Sequence, residues 1–144
     1  MIKKADINDA DIVAALAVQM WTGHDPGELA EEFRELLKNA ETACFLKYVD
    51  SRPVAFAQCQ LRHDYVEGTD SSPVGYLEGI FVAEGYRRKG YAAELLAECE
   101  KWAKEKGCTE FASDCELDNA ESLRFHLALG FMEANRIICF RKEL

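Results

Sequence analysis

The chain has 144 residues, of which 49% are hydrophobic, and it carries a formal net charge of −9 at pH 7. This length and apolar content predict one folded domain, residues 1–144, with a sizeable core, and they exclude a disordered chain. The acidic balance disfavours nucleic acid as a partner, because phosphate contacts need a basic face; it suits a polycationic ligand, and equally it serves simple solubility.

The first half of the chain combines strand and helix patterns. An acidic cap at Asp25, followed by Pro26 in the first helical position and by Glu28, is typical of a helix start. The predicted elements of this half are a strand at 2–6, a helix after a cap at Asn8 or Asp9, a helix after Asp25, and a hairpin of strands at 42–49 and 54–61.

The second half follows a strand–helix–strand order. Its predicted elements are a polar loop at 63–73, a strand at 75–82, a helix at 90–106, a strand at 109–114, a helix at 119–129 and a last strand at 131–141. A crossover of this kind is right-handed and joins parallel strands. The sequence therefore predicts an α/β fold with a mixed sheet, its fourth and fifth strands parallel and at the centre, flanked by about four helices.

The cysteines and histidines lack the spacing of a metal site or of a disulfide framework. Most of the six cysteines, such as Cys44 and Cys139, lie in apolar surroundings and are predicted to be buried thiols. No signal-peptide pattern and no run of about 18 apolar residues is present. These features predict a protein of the reducing cytoplasm with neither a metal nor a membrane partner.

The clearest functional pattern lies at residues 81–96. A strand ends, the cations Arg87, Arg88 and Lys89 follow, and Gly90 precedes an amphipathic helix. Unpaired N–H groups at a helix start attract anions, and glycine lets an anion approach the backbone closely. The segment predicts a phosphate cradle that differs from the P-loop; the alternative is a solvated basic turn.

Residues 87–92, Arg-Arg-Lys-Gly-Tyr-Ala, resemble the R/Q-x-x-G-x-G/A segment that grips the pyrophosphate of coenzyme A in the GCN5-related N-acetyltransferases (GNAT). Further stretches resemble the aminoglycoside 6′-N-acetyltransferases within that superfamily: 62–66, 70–74, 76–82, 112–114, 129–131 and 140–142. The resemblance covers nearly the whole chain and implies the GNAT fold, in which the fourth and fifth strands splay apart. A bulge in the fourth strand accompanies the splay, and Gly79 either marks that bulge or serves close packing.

The resemblance also implies acetyl-CoA as the acetyl donor. The pyrophosphate would be held by Arg87, Arg88, Lys89, Gly90, Tyr91 and Ala92, mainly through backbone N–H groups. Ile80, Phe81 and Val82 would hydrogen-bond the pantetheine arm, and an N–H of Ile80 or Phe81 would stabilise the oxyanion. Asn119 matches a further donor-contacting position, and as the first residue of a helix it also suits a plain N-cap.

Glu78 and Asp114 are the candidates for handling the amine, because they lie on the adjacent fourth and fifth strands. A carboxylate within an apolar strand is usually paired or functional. Glu78 is expected to anchor the amine first and to act as a base through water second; the alternatives are an outward-facing charge for Glu78 and a strand end for Asp114. The resemblance implies substrate contacts for Trp21 and Tyr65, and Trp21 equally suits the core of the first helix.

Many relatives place a tyrosine five residues before the phenylalanine of the Leu-Gly-Phe segment, where it protonates the leaving thiolate. This chain has His126 there. Histidine suits acid catalysis at neutral pH, whereas a histidine on a helix face is commonly structural. His126 is thus the candidate general acid, and unassisted departure of the thiolate is the alternative.

The predicted function is acetyl transfer from acetyl-CoA to the 6′-amine of aminoglycoside antibiotics by direct attack in a ternary complex, which confers resistance. One alternative is an acetyltransferase of the same fold that acts on another cationic amine, such as a polyamine or a protein lysine. Another is a non-catalytic sensor of coenzyme A or of a cation. The last predicted strand suits pairing across a two-fold axis, and the resemblance implies a homodimer.

Overall fold

The computed structural model describes all 144 residues. Its strands are β1 (Ile2–Lys4), β2 (Thr42–Val49), β3 (Arg52–Arg62), β4 (Val74–Val82) and β5 (Phe111–Ala112). Its α-helices are α1 (Ala10–Met20), α2 (Pro26–Leu37), α3 (Tyr91–Glu105) and α4 (Ala120–Ala128). The strands form one sheet in the order β1-β2-β3-β4-β5, antiparallel except for the parallel pair of β4 and β5. The mixed sheet with this parallel pair confirms the predicted fold.

The start of α2 follows the predicted capping pattern, whereas the start of α1 does not. Asp25 accepts a hydrogen bond from the N–H of Glu28 at 3.0 Å. Before α1, Asp6 caps a short 3-10 helix, and the carboxylate of Asp9 accepts from the N–H of Asp6 and from Lys3. Burial raises the pKa of Asp9, but the bonds from Lys3 and Asp6 outweigh it and hold that pKa below its usual value. Asp9 therefore lies at the N-cap of α1, one of the two predicted positions, but its side chain makes no capping bond there; Asp6 caps the preceding 3-10 helix.

Two apolar cores lie on opposite faces of the sheet. One packs α1 and α2 against the sheet and contains Val13, Phe33 and Phe56. The other packs α3 against the opposite face and contains Leu95, Cys99, Trp102 and several small residues. Each amphipathic helix thus buries its apolar stripe against one sheet face, which produces three layers.

The cysteines are all free thiols, and they separate by position. Four of them are buried as predicted, but Cys115 and Cys139 are exposed, so the prediction that Cys139 is buried is wrong. Cys139 belongs to residues 132–144, all of which are exposed. No three His, Cys, Asp or Glu side chains lie close enough together to hold a metal ion. None of the helices has both the length and the apolar character needed to cross a lipid bilayer.

The structure differs most from the predictions after β4. The predicted strand at 109–114 contracts to the two residues of β5, and no strand forms at 131–141. Consequently β5 lies at the edge of the sheet and not at its centre. The strand predicted at 131–141 from its apolar residues is therefore wrong. A strand needs a neighbouring strand to accept and donate its backbone hydrogen bonds, and no strand of the sheet pairs with this segment.

Candidate active site

A bulge interrupts the ladder between β3 and β4. Gln58 pairs with Gly79 and Cys59 pairs with Leu77, so Glu78 is an extra residue with no partner on β3. Leu77 and Ile80, three positions apart, both pack on the α3 side of the sheet, which regular alternation would not allow. The bulge expected at Gly79 is therefore confirmed, with Glu78 as the inserted residue. A bulge of this kind redirects a side chain and releases backbone groups from the ladder.

Gly79 also permits a close approach of Trp21. A Cβ at this position would lie 3.1 Å from the indole ring and 3.3 Å from the Cε atom of Met20. The same indole stacks on Phe33 with ring centroids 6.5 Å apart and meets Phe56 edge-on. Trp21 thus completes the core, as its alternative interpretation expected, and its partly buried ring lies directly beside the bulge.

The strands β4 and β5 separate immediately before Glu78. Their ladder consists of two pairs, Gly75 with Phe111 and Tyr76 with Ala112. Beyond these pairs, the hydroxyl of Ser113 lies 3.4 Å from the carbonyl of Leu77. From Glu78 onward, β4 has no strand neighbour on the β5 side. The structure therefore contains the predicted gap between the two parallel strands, and Glu78 lies at its beginning.

The carboxylate of Glu78 is held by Arg62, a contact that the sequence reasoning missed. The Nε and Nη2 atoms of Arg62 donate to Oε1 at 3.1 and 2.8 Å, and Nη2 also donates to Oε2 at 3.1 Å. Arg62 pairs with Val74 in the ladder, four residues from Glu78, so the sequence shows no sign of this pair. Glu78 is therefore neither a lone carboxylate nor an outward-facing charge: it is paired with Arg62, and its side chain is only 21% exposed.

Tyr76 joins this pair to Asp114. The guanidinium carbon of Arg62 lies 3.4 Å from the centroid of the Tyr76 ring, and the Tyr76 hydroxyl donates to Oδ2 of Asp114. Burial and the nearby carboxylate of Asp114 both raise the pKa of Tyr76, so its phenol remains a protonated donor. Glu78 and Asp114, predicted separately, therefore belong to one network with Arg62 and Tyr76 between them.

His126 lies next to the gap and bonds through both ring nitrogens. Its Nδ1 lies 2.7 Å from the carbonyl of Ser122 and its Nε2 lies 2.8 Å from the hydroxyl of Ser113. A carbonyl oxygen can only accept a hydrogen bond, so Nδ1 carries a hydrogen. In the neutral ring, Nε2 then accepts a hydrogen bond from the hydroxyl of Ser113. The imidazole also packs against Phe131 at a centroid distance of 5.2 Å. The ring is thus structurally fixed and, at the same time, aimed through Ser113 at the gap.

The segment between β4 and α3 has the conformation of an open anion cradle. Gly85, Arg88 and Gly90 adopt positive φ values of 89°, 62° and 81°. Gly90 is the N-cap of α3 and provides no side-chain hydrogen bond to the first turn, and no atom lies within 4 Å of where its Cβ would be. Arg88 and Lys89 are exposed. The Nε of Arg87 instead donates to the carbonyl of Val82 at 2.9 Å and ties the segment to β4.

The loop between β3 and β4 is anchored by carboxylates. Glu110 accepts from the N–H of Asp70 at 2.9 Å and from the hydroxyl of Ser71 at 2.5 Å, and these bonds lower the pKa of Glu110. Asn135 donates to Glu67 at 2.7 Å and attaches the loop to the last segment. The predicted contact residue Tyr65 is 75% exposed on this loop.

Asn119 occupies a cap position. Its side chain accepts from the N–H of Ser122 at 3.0 Å, at the start of α4. The helix-cap interpretation of Asn119 is therefore confirmed, and the same residue fixes the start of the helix that carries His126.

Residues 11–131 match the profile of the acetyltransferase (GNAT) family. The chain belongs to the GNAT family. Among curated relatives it is 43% identical to an aminoglycoside N(6')-acetyltransferase type 1 of Serratia marcescens, with 100% of this chain and 99% of the relative aligned. It is 44% identical to the enzyme of the same name from Acinetobacter baumannii, over 90% of this chain and 89% of the relative.

Solved structures of similar proteins agree with this placement. The fold matches AAC(6')-Iy, determined in complex with the bisubstrate analogue CoA-S-monomethyl-acetylneamine, with a TM-score of 0.94, 38% identity and coverage of 100% of this chain and 98% of that one. It matches the aminoglycoside 6'-N-acetyltransferase AAC(6')-Ih from Acinetobacter baumannii with a TM-score of 0.94 and 40% identity, again over 100% and 98%. The GNAT fold and the acetyltransferase resemblance expected from the sequence are confirmed.

Proposed function

We propose that the protein transfers the acetyl group of acetyl-CoA to the 6′-amine of aminoglycoside antibiotics, by direct attack of the amine in a ternary complex, and thereby confers resistance. The observation that carries the proposal is the position of Glu78, a carboxylate at the bulge where β4 leaves β5. It lies between a basic segment suited to phosphate and an acidic loop suited to a polyamine. Full-length similarity to aminoglycoside N(6')-acetyltransferases supports the choice of amine.

The segment before α3 fits the diphosphate of acetyl-CoA. The N–H groups of the first turn have no side-chain cap, the helix dipole favours negative charge there, and Gly90 leaves open space beside them. Arg88 and Lys89 add positive charge, while Arg87 holds the segment against β4. The residues assigned to the donor are Arg87, Arg88, Lys89, Gly90, Tyr91 and Ala92, the backbone of Ile80, Phe81 and Val82, and Asn119.

The edge of β4 supplies the electrostatic part of catalysis. Beyond Tyr76 this edge faces the gap. Ala83 donates its N–H to the carbonyl of Val54 on β3. By strand alternation the N–H of Phe81 also faces β3 and that of Ile80 faces the gap. The N–H of Ile80 thus serves as the donor to the thioester oxygen as negative charge develops. One such donor contributes about 3–4 kcal/mol to the transition state. Holding amine and thioester in line contributes about 7–11 kcal/mol, so positioning dominates.

The acidic side of the gap receives the amine. Glu78 anchors the ammonium form of the 6′-amine and, through a water molecule, accepts its proton before attack. Trp21 offers the partly exposed face of its indole beside the bulge, a surface suited to a sugar that carries an ammonium group. Asp114 and Tyr65 contact further parts of the same polycationic molecule.

His126 supplies the proton that the leaving thiolate takes up. In the protonated imidazole, Nε2–H donates to the hydroxyl of Ser113, and the hydroxyl hydrogen of Ser113 passes to the sulfur as the proton of His126 replaces it. His126 ends neutral and the sulfur ends as a thiol. The hydrogen bond between Nδ1 and the carbonyl of Ser122 keeps the ring in this orientation throughout.

We also propose that residues 1–144 act as a single N-acetyltransferase domain that forms a homodimer in the cytoplasm. The exposed thiols Cys115 and Cys139, each unpaired, suit a reducing compartment. Support for the dimer comes from the last segment, where Ile138 and Phe140 are 77% and 91% exposed beside a sheet whose β5 edge is open. Light scattering after gel filtration should give twice the chain mass, and a chain that ends at residue 136 should give the monomer mass; a monomeric wild type would contradict the dimer.

The proposed activity is tested by thiol release from acetyl-CoA with kanamycin, tobramycin, spermidine and a lysine peptide in parallel. Release is expected with the two aminoglycosides. A Glu78→Gln variant should raise KM for the aminoglycoside at least about tenfold through the lost ion pair, whereas Glu105→Gln, an exposed carboxylate on α3, should change nothing. Release with the peptide alone would refute the claim that aminoglycosides are the substrates. If calorimetry shows no binding of acetyl-CoA, the claim that the protein is an acetyltransferase is refuted.

A further inference from the structure

The Glu78 carboxylate raises a chemical conflict that its surroundings resolve. A carboxylate beside an amine favours the charged ammonium, yet only the neutral amine attacks the thioester. An alkylamine of ordinary basicity is neutral in about one molecule in a thousand near pH 7, and a bare carboxylate would reduce that fraction further. A site that binds the amine through Glu78 alone would therefore oppose its own reaction.

We propose that Arg62 is a positioning residue for acetyl transfer, which holds the Glu78 carboxylate at the gap and offsets its charge before the amine arrives. The inference rests on the proposed function, because it concerns the amine that this site would acetylate. It extends that function by assigning a role to a residue on β3, outside the parallel strands that frame the gap.

The pairing geometry leaves part of the carboxylate available. Oε1 of Glu78 receives two hydrogen bonds from Arg62, whereas Oε2 receives a single one at 3.1 Å. Each carboxylate oxygen accepts about two hydrogen bonds, so Oε2 retains an acceptor site for the amine or for a water molecule. The fork–fork contact fixes the plane of the carboxylate and thereby the direction of that free site.

Arg62 is itself held in place. Its guanidinium carbon lies over the Tyr76 ring, 3.4 Å from the centroid, and the hydroxyl of Tyr76 donates a hydrogen bond to Asp114. Tyr76 is buried and fixes the plane of the guanidinium from below. A lysine would preserve the charge but would lose both the fork and the stack.

The charged and titratable groups of this cluster are Glu78 and Tyr76 on β4, Arg62 on β3, and Asp114 after β5. With Tyr76 protonated, two carboxylates and one guanidinium leave a single negative charge. That charge attracts one ammonium group. The positive guanidinium disfavours the ammonium form, so the bound amine loses its proton more readily than it would beside the carboxylates alone. At separations of about 6–8 Å and an effective dielectric constant near 20, the guanidinium increases the neutral fraction of the amine about tenfold or more.

The first test compares Arg62→Gln, which removes the charge, with Arg62→Lys, which retains it, through the pH dependence of kcat with kanamycin. Arg62→Gln should lower kcat about tenfold near pH 7, and the loss should shrink toward pH 9–10, where the amine is neutral without assistance. Arg62→Lys should retain the wild-type pH profile with a raised KM. Arg52→Gln, an exposed arginine at the other end of β3, serves as the matched control.

A second test uses the opposite sign of the effect. In Glu78→Gln the guanidinium is uncompensated and repels the ammonium, so adding Arg62→Gln to that variant should lower KM about tenfold. A loss of kcat that is equal at every pH, or a further rise of KM in the double variant, would overturn the proposal. If Arg62→Gln fails to fold, Arg62→Lys decides, because a shifted pH profile or an unchanged KM contradicts the assigned role.

Failure of the proposed function gives a different result from failure of this inference. Wild-type protein that releases thiol with spermidine or the peptide but not with kanamycin refutes the aminoglycoside substrate, and the Arg62 comparison is then made with the amine that is acetylated. Active wild-type protein whose Arg62 variants lose kcat equally at every pH refutes the role of Arg62 and leaves the substrate intact. Calorimetry with acetyl-CoA should give the same affinity in all variants, since Arg62 lies outside the donor segment.

Discussion

The two sides of the gap are built in different ways. The proposed donor side is one continuous segment, residues 84–92, which presents backbone N–H groups and exposed cations at the start of α3. The proposed amine side assembles Arg62, Tyr76, Glu78 and Asp114 from β3, β4 and the residues after β5. The donor side depends on the backbone conformation of one short motif, which can be seen in the sequence. The charge compensation on the amine side joins two strands and exists only after those strands have paired.

The same difference affects tolerance to substitution. Arg88 and Lys89 make no ion pair and are exposed, so we expect their replacement to weaken the binding of acetyl-CoA and to leave the fold intact. On the amine side each group also fixes the position of another, so a single change alters orientation and charge together. The predictions below test this contrast.

The largest effect is expected from charge reversal on the donor side. Arg88→Glu combined with Lys89→Glu should weaken acetyl-CoA binding about a thousandfold, because attraction to the diphosphate becomes repulsion at two positions. Calorimetric titration gives the Kd. Lys101→Glu with Lys104→Glu, an equal charge change on exposed positions farther along α3, should cost far less. Equal losses in the two double variants would mean that net charge, not the segment before α3, binds the donor.

His126→Phe should reduce kcat about a hundredfold with little change in either KM, because general acid catalysis is lost while the aromatic packing on Phe131 is kept. Steady-state kinetics with thiol detection measures this. Ser122→Ala removes a neighbouring hydroxyl but keeps the carbonyl that orients the ring, so its kcat should remain near that of the wild type. If His126→Phe retains most of the wild-type kcat, the thiolate departs without help.

The same substitution should have different consequences on the two sides. Gly79→Ala places a Cβ 3.1 Å from Trp21 on the amine side and should lower the free energy of unfolding by about 1–3 kcal/mol, with a severalfold rise in aminoglycoside KM. Gly85→Ala on the donor side meets no atom within 4 Å, and its φ of 89° should cost about 1 kcal/mol without affecting that KM. Urea unfolding and kinetics measure both. A changed aminoglycoside KM in Gly85→Ala would contradict the separation of the two sides.

The smallest effect is expected from Tyr76→Phe, which keeps the surface under Arg62 and removes the hydrogen bond to Asp114. The loss of one such bond should raise aminoglycoside KM about fivefold. Tyr48→Phe on β2, whose hydroxyl makes no hydrogen bond, is the control. If Tyr76→Phe lowered kcat near pH 7 as much as Arg62→Gln, the hydroxyl, and not the ring, would be the group that holds the guanidinium.

The predictions from sequence succeeded where few residues decide the structure. The cap at Asp25, the cap at Asn119, the order of strands and helices, and the bulge beside Gly79 all follow from local patterns or from the family resemblance. They failed where the deciding neighbour is distant or missing. Asp9 lies at the N-cap of α1 as expected, but its carboxylate bonds Lys3 and the N–H of Asp6 and does not cap the helix. The predicted last strand did not form, since no strand pairs with residues 131–141.

By itself, the amino-acid sequence determined the class of fold, the cationic glycine-containing turn before α3 and the presence of a carboxylate within β4, since each depends on residues close together in the chain. Only the tertiary structure decided that this carboxylate is paired with Arg62, that Tyr76 connects it to Asp114, and that Ser113 lies between His126 and the gap. The physical reason is the register of β3 against β4. One inserted residue shifts every side chain after it to the opposite face, and no local pattern shows which groups then meet.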